Sequence, residues 1–144
     1  MLVAKILETK TVAGIITVAP KCTVAEAAAI LAKKGIGTVV VSENGETLDG
    51  ILSERDIVGA LGDVGAACLQ DPVSRLMTRK VTTCTPQDRA DHVLSQMTDG
   101  RFRHMPVMQA GRMIGVISIG DVVKARLTEL AMEKDALEGM IMGH

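Results

Sequence analysis

Two short stretches of this chain carry the residues whose types and spacing are best suited to hold a ligand. Each begins with glycine, continues through apolar residues to a serine and ends with an aspartate three positions later, at residues 50–56 and 115–121. The apolar half predicts a strand, and the serine predicts the N-cap of a helix whose first turn contains the aspartate. Such a corner brings unpaired N–H groups, a hydroxyl and a carboxylate together, which can hold a sugar and a phosphate.

The alternative interpretation of the same pattern is a capping box, in which the two side chains only satisfy backbone donors. Thr23 and Glu26 have this spacing too, and we expect them to form a cap and nothing more. A single Ser-x-x-Asp would favour the cap alone. Two copies at the same point of two repeats favour a binding role for Ser53 with Asp56 and for Ser118 with Asp121.

Composition limits the possible functions of the 144 residues. A net charge of −1 offers no field for nucleic acid, and Phe102 as the only aromatic residue provides no platform for stacking unpaired bases. Cys22, Cys68 and Cys84 are an odd, widely spaced set, which favours reduced thiols in a cytoplasmic protein over disulfides or a zinc site. No apolar run reaches the ~18 residues of a membrane helix, and the N-terminus lacks a signal-peptide profile.

The elements that must position the two corners form an internal repeat. The first copy predicts a lead-in at 3–7, strands at 15–18, 38–41 and 48–52, helices at 23–34 and 53–61, and a hairpin turn at 43–46. After a break at 62–65, the second copy predicts a lead-in at 71–78, strands at 81–83, 104–108 and 113–117, a turn at 110–112, and helices around 90–97 and from 118. This β-α-β-β-α order, present twice, predicts an α+β protein with repeats at 1–66 and 67–127 and a helical tail at 128–144.

The tandem unit resembles the CBS domain pair, also called a Bateman module. The matching segments are residues 72–78, residues 103–107 and the two glycine-to-aspartate stretches, and the resemblance covers about residues 3–127. It implies two repeats packed sheet to sheet about a pseudo-twofold axis, with two clefts between them. It also implies adenosine-containing ligands: AMP, ADP or ATP, and in some members NAD or S-adenosylmethionine.

The resemblance assigns roles to particular residues. It implies that the aspartates accept hydrogen bonds from ribose hydroxyls, that the serines lie near the sugar or phosphate, and that aliphatic side chains enclose the adenine. The implied ligand-binding residues are Thr17, Ile36, Gly37, Thr38, Val39, Ser53, Arg55 and Asp56 in the first repeat, and Thr83, Arg103, His104, Met105, Pro106, Ser118 and Asp121 in the second. Arg55, Arg103 and His104 are the candidates to face phosphates, and Arg101 is a weaker one. The alternative for each arginine is a solvated surface charge, and for His104 a half-buried structural role.

The two repeats differ at one place in this pattern. Gly37 stands where the second repeat has Arg103, and Val39 with Val40 stands where it has Met105 with Pro106. The first repeat therefore lacks a basic residue at that position, and we expect two clefts that are not equivalent.

The leading functional hypothesis is a regulatory module that binds AMP, ADP, ATP or NAD(H) and signals energy or redox state to a partner protein. We expect no catalytic cofactor, no metal and no enzymatic activity, because no nucleophile with a base, carboxylate pair or metal cluster stands out. The alternative is a structural dimerisation module with non-functional clefts.

The segment after Asp121 predicts a homodimer. Val123, Leu127, Leu130, Leu137 and Ile141 recur with a period near 3.5 and are interrupted only by Lys134. A narrow stripe that contains a lysine fits a seam with a partner better than a deep core. The alternative is that the stripe folds back on its own domain.

Overall fold

The computed structural model describes residues 1–10 and 15–142. The described helices are α1 (Val3–Thr9), α2 (Val24–Lys34), α3 (Glu54–Val64), a 3₁₀ helix (Gly65–Gln70), α4 (Val73–Leu76), α5 (Ala90–Gly100) and α6 (Ile119–Ile141). The described strands are β1 (Thr17–Val18), β2 (Thr38–Val41), β3 (Gly50–Ser53), β4 (His104–Gln109) and β5 (Arg112–Ser118). These elements form two compact units, which we name the α2/α3 unit (residues 15–82 and 110–114) and the α5/α6 unit (residues 1–10, 83–109 and 115–142).

The α2/α3 unit has a three-stranded sheet in the order β1-β2-β3. β1 is parallel to β2, and β2 is antiparallel to β3 with Thr38 opposite Ser53. Thr23 caps α2 by accepting from the Glu26 N–H at 3.1 Å, as the sequence predicts, and Gly35 ends the helix in the left-handed conformation. Val24, Ala27 and Leu31 of this helix pack against Val39, Val41 and Leu52 of the sheet in one buried cluster.

The α5/α6 unit contains the two-stranded sheet β4-β5, apart from the first three residues of β5. Ala110 and Gly111 join the strands with positive φ angles of 52° and 77°, which suit a tight two-residue hairpin. Val93 and Met97 of α5 and Val122 of α6 are fully buried or nearly so in its core. Together, the two units confirm the predicted α+β class, in which a helix separates a first extended segment from a hairpin and a second helix follows.

Each lead-in packs into the core of the unit that holds the other repeat's strands. Val3 and Ile6 of α1, which precede the first repeat, are buried in the α5/α6 unit. Val73 of α4 and the following Met77, which precede the second repeat, are buried in the α2/α3 unit. Each compact unit therefore combines the lead-in of one sequence repeat with the helices of the other. The repeat boundaries that we predict after residues 66 and 127 describe the sequence and remain a prediction. The last two residues of the predicted tail lie outside the described residues.

Four predicted features differ in the structure. The predicted strand at 81–83 is wrong, because residues 81–83 pair with no described strand and the neighbouring Cys84 makes an isolated parallel bridge to Val107. The predicted break at 62–65 falls only at its last residue, because α3 continues through Gly62 to Val64 and ends at Gly65, whose φ angle is 78°, before the 3₁₀ helix. The predicted strand at 15–18 is shortened to β1. The predicted strand at 48–52 is shifted to β3, and the side chain of Asp49 just before it accepts from the Glu43 N–H in the loop at 2.8 Å.

The glycines that open the two motif stretches have a packing role. A Cβ atom on Gly50 would lie 2.8 Å from the Thr78 carbonyl oxygen and 2.7 Å from the Met77 sulfur. A Cβ atom on Gly115 would lie 2.7 Å from a methyl group of Leu7. At both positions the missing side chain makes room for a lead-in, so these glycines serve the fold that positions each corner.

We predict that Gly50→Ala destabilises the protein by about 1–3 kcal/mol, because the close neighbour at Thr78 is backbone and cannot move aside cheaply. Gly59 is the matched control, since it lies in α3 with open space around its Cα. Gly59→Ala should stabilise the protein by roughly 0.5–1 kcal/mol through its higher helix propensity. Urea denaturation of both variants measures the difference, and a Gly50→Ala variant as stable as the parent would contradict the packing role.

Candidate functional site

The first corner lies where β3 runs into α3. Ser53 is the N-cap of the helix, and its N–H donates to Asp56 Oδ2 at 2.9 Å. The Asp56 N–H donates back to Ser53 Oγ at 3.2 Å, and the Ser53 hydroxyl donates to the same carboxylate oxygen at 3.1 Å. The predicted capping box is therefore present, and it holds the carboxylate at a fixed place beside the strand end.

The second corner lies where β5 runs into α6 and repeats this arrangement. The Ser118 N–H donates to Asp121 Oδ2 at 2.9 Å, and the Asp121 N–H donates to Ser118 Oγ at 3.1 Å. It also contains a residue that the sequence did not point to. Lys10 Nζ lies 3.0 Å from Asp121 Oδ2 and donates to the Val116 carbonyl oxygen at 2.6 Å. Both charged side chains of this ion pair remain 27% exposed, so the pair is within reach of a dissolved ligand.

Each cap uses only one oxygen of its aspartate. All the described hydrogen bonds to Asp56 and Asp121 end on Oδ2, and no hydrogen bond joins either Oδ1 to another described residue. Neither Oδ1 atom is among the buried, unsatisfied polar atoms of the described residues, so both reach solvent. The capping interpretation and the binding interpretation are therefore compatible, because the cap orients the carboxylate and leaves one oxygen to accept from a ligand hydroxyl.

The structure matches position 37 with position 103 through equivalent backbone hydrogen bonds. The Glu54 N–H donates to the Gly37 carbonyl oxygen at 2.9 Å, and the Ile119 N–H donates to the Arg103 carbonyl oxygen at 2.8 Å. A Cβ atom on Gly37 would lie 2.6 Å from Glu54 Oε1, so a carboxylate occupies the space beside the glycine. The first corner thus presents an acid near the position where the second presents exposed Arg103.

The remaining predicted site residues divide by exposure. The register places Thr38 opposite Ser53, and Thr17 lies on the neighbouring strand. Val39 and Met105 are 1% and 0% exposed within the cores, so only their backbone can meet a ligand as the structure stands. Pro106 is buried as well, whereas Thr83, Arg55 and Arg103 are exposed and Ile36 and His104 are partly buried. The roles of all these residues stay predictions.

An open groove of about 450 Å³ lies on the α2/α3 unit, between its two long helices. Ala28, Leu31, Ile57 and Val58 provide its apolar walls, and Glu54 lines it too. It includes Ile36 and Gly37 of the predicted site but neither Ser53 nor Asp56. The groove is therefore a helical surface beside the corner and not the corner itself.

Other chemistry has little support in the described part of the chain. No group of three or more His, Cys, Asp or Glu residues there is arranged to hold a metal ion. Burial raises the pKa of Cys84 to about 12, and burial with a hydrogen bond to Glu26 raises the pKa of Cys22 to about 11. Both thiols are therefore protonated at neutral pH and are poor nucleophiles. None of the described helices has the length and apolar character needed to cross a bilayer.

The charge of Asp121 makes the contribution of the second corner to folding stability depend on pH. Partial burial acts to raise its pKa, but the Ser118 N–H and Lys10 outweigh this, so the pKa lies below its usual value of 3.8. A carboxyl with a lowered folded-state pKa contributes stability that is complete above the unfolded pKa of about 3.9 and is lost as pH falls through the folded pKa.

We therefore predict that the stability difference between the parent and the neutral variant Asp121→Asn is constant from pH 7 to pH 5 and shrinks below about pH 4. Urea denaturation at several pH values measures this difference. Lys10→Met in the Asp121→Asn background should add little further change, because the partner charge is already absent. A difference that stays constant down to pH 2 would contradict the ion pair.

Comparisons with known proteins agree with this geometry. A family model for the CBS domain matches two segments of the chain, residues 7–63 and 73–128. A mitochondrial CBS domain-containing protein of Arabidopsis thaliana is 36% identical over 125 residues, which are 84% of this chain and 61% of that relative. The chain thus spans less than two thirds of this curated relative.

Solved structures show the same architecture. A CBS-domain containing protein from Agrobacterium tumefaciens superimposes with a TM-score of 0.82 and 44% identity over 88% of this chain and 99% of its own. A CBS domain protein from Pyrobaculum aerophilum, complexed with AMP, gives 0.76 and 25% over 92% and 99% of the two chains. A CBS domain pair in complex with 5′-methylthioadenosine and S-adenosyl-L-methionine gives 0.75 and 25% over 90% and 98%.

Proposed function

Because this chain belongs to the CBS-domain family, we propose that it is a regulatory module that binds adenosine-containing molecules at its two Ser–Asp corners. The observation that carries the proposal is the capping box in each unit, which fixes an aspartate and leaves its Oδ1 without a partner among the described residues. An ionised carboxylate in that position can accept from the two adjacent hydroxyls of a ribose. The AMP and 5′-methylthioadenosine complexes of related pairs support adenosine as the shared part of the ligand.

The module carries out no reaction of its own in this proposal. Each aspartate is held by the N-cap residue of its own helix, so these bonds are those of a cap and leave it free to accept from a ligand. Binding instead changes the stability of the segments that meet at a corner, which include the lead-in residue Lys10 beside Asp121. A partner protein that contacts these segments can then read ligand concentration, as AMP, ADP, ATP or NAD(H) levels change.

A screen of ligands by thermal shift tests this function. AMP, ADP, ATP, NAD, NADH and S-adenosylmethionine are each added to the full chain, and a ligand present at 100 times its Kd should raise stability by about 2.7 kcal/mol. Ribose 5-phosphate and adenine serve as half-ligand controls, which should shift the melting temperature less than the complete nucleotide. No shift with any adenosine compound at millimolar concentration would contradict the proposal.

The alternative function, a structural dimerisation module, has one observation in its favour. Large aliphatic side chains on α6 are exposed, with Leu127 at 63% and Leu137 at 60%. A pairing role for this helix does not require a ligand. Ligand-dependent stabilisation in the screen separates the two functions, since a purely structural module gains nothing from adenosine compounds.

A further inference from the structure

We propose that the two corners are sorted by ligand charge. In this proposal the Ser118–Asp121 corner takes an adenosine ligand with a 5′-phosphate, and the Ser53–Asp56 corner takes one whose 5′ substituent is neutral or cationic. The inference rests on the proposed function, to which it adds the chemical class of ligand at each corner.

The first contrast lies beside the helix start. In the α2/α3 unit, the Glu54 carboxylate fills the space next to Gly37, as the hypothetical Cβ distance of 2.6 Å shows. In the α5/α6 unit, the matched positions hold Ile119 and Arg103, which carry no acid and one cation. A phosphate would meet carboxylate repulsion at the first corner and a guanidinium at the second, and guanidinium is well suited to phosphate.

The second contrast is an ion pair: in the second corner, a lysine contacts the aspartate that would bind the ribose. Lys10 Nζ lies 3.0 Å from Asp121 Oδ2, whereas no ion pair joins Asp56 to another described residue. An ammonium at this distance compensates the charge of the carboxylate, so a second anion can approach it. At Asp56, an approaching phosphate would instead meet a carboxylate that has no ion pair with another described residue, with Glu54 nearby.

The nearby cations of the α2/α3 unit do not remove this contrast. Lys80 follows Met77 at the same spacing as Lys10 follows Leu7, but it is exposed and has no ion pair with another described residue. Arg55 is exposed next to Glu54 and offsets one of the two acids there. The first corner therefore keeps at least as many acids as adjacent cations. At the second corner, the residues matched with Glu54 and Gly37 add no acid, and Lys10 and Arg103 face Asp121.

Calorimetric titration of the full chain with two probes tests the proposal. AMP and 5′-methylthioadenosine share the adenosine and differ in the charge of the 5′ group, and related pairs have been solved with each. Asp56→Asn and Asp121→Asn isolate the corners, so that each probe can be assigned to one of them. We expect AMP to lose its tighter site in Asp121→Asn and 5′-methylthioadenosine to lose its tighter site in Asp56→Asn.

Charge variants provide the decisive comparison. Lys10→Met should raise the Kd of AMP roughly 10-fold and change that of 5′-methylthioadenosine by less than about 2-fold. Lys80→Met, the matched control, should leave both affinities unchanged. Glu54→Gln should lower the Kd of AMP at the weaker corner several-fold, and this gain should fade in high salt.

The outcomes separate this inference from the function on which it rests. If the parent protein binds both probes but Lys10→Met weakens them equally, or if Lys80→Met acts like Lys10→Met, the sorting by charge is wrong while the binding function stands. If Glu54→Gln weakens AMP, the sorting is wrong as well. If the parent binds neither probe at millimolar concentration, both the function and the sorting fail.

Discussion

Replacing Asp121 with alanine is expected to weaken AMP binding roughly 10- to 100-fold. The variant removes the carboxylate oxygen that would accept from the ribose, and it leaves Lys10 without its ion-pair partner. Hydrogen bonds to a charged group are worth about 1.5–3 kcal/mol, which gives the stated range. Isothermal titration calorimetry measures the loss of affinity.

The control for this variant is Asp135→Ala. Asp135 is exposed on α6, the same helix that Asp121 begins, and it has no ion pair with another described residue. We expect it to bind AMP as the parent does. Melting curves of both variants show whether they remain folded. Unchanged AMP affinity together with a lower melting temperature in Asp121→Ala would mean that this residue is only part of a helix cap.

The second large effect concerns α6, and we predict that a chain ending after Leu127 is a monomer whereas the full chain is a homodimer. α6 is one continuous helix of 23 residues, or about 35 Å at 1.5 Å per residue. Leu130, Leu137 and Ile141 of the predicted stripe are 48%, 60% and 84% exposed, so the stripe does not fold back on its own unit. A full burial of each leucine against a second copy would contribute about 1.5–3 kcal/mol.

Light scattering of the full and shortened chains measures the change in mass. A second pair of variants tests the stripe without truncation. Leu130→Glu with Leu137→Glu should dissociate the dimer, whereas Thr128→Glu with Met132→Glu, on the opposite face of α6, should leave it intact. A shortened chain that stays a tight dimer would show that the tail is dispensable, and a monomeric full chain would reject the pairing altogether.

The local elements of this fold were accessible from the sequence because caps and periodicity are local signals. Thr23, Ser53 and Ser118 each accept the predicted N–H bond at a helix start. The buried positions of α2 follow from the spacing of Val24, Ala27 and Leu31. These features depend on residues three or four positions apart, which a single sequence displays directly.

The ends of strands were harder to predict. Apolar β-branched residues indicate that a segment is buried, but they do not show whether its backbone pairs with another strand. Val81 and its neighbours look like a strand, but the paired residue is Cys84, which receives only one bridge. At the other edge, Gly62 does not end α3 because the helix is continued to Val64 by its own backbone bonds. Tertiary pairing, which a local pattern does not contain, decides the first case, and the helix's own hydrogen bonds decide the second.

The residues of the candidate site that occur in both repeats could be predicted, whereas the residue that reaches the site from a distant part of the chain could not. Ser53, Asp56, Ser118 and Asp121 were apparent from their duplication. Lys10 was not, because it meets Asp121 only when α1 packs into the α5/α6 unit. Its one sequence signal was weak: Lys10 and Lys80 follow the two lead-ins at the same spacing.

The most direct measurement of adenosine binding at these corners is an NMR titration of the ¹⁵N-labelled full chain with AMP. The amide signals of Ser118 and Asp121 report on the second corner, and those of Ser53 and Asp56 report on the first. We predict saturable shifts that are largest at Ser118 and Asp121, with weaker effects at Ser53 and Asp56, and that Asp121→Asn abolishes the stronger set. No saturable shift at either pair up to millimolar AMP, or shifts confined to other parts of the chain, would contradict the proposed site.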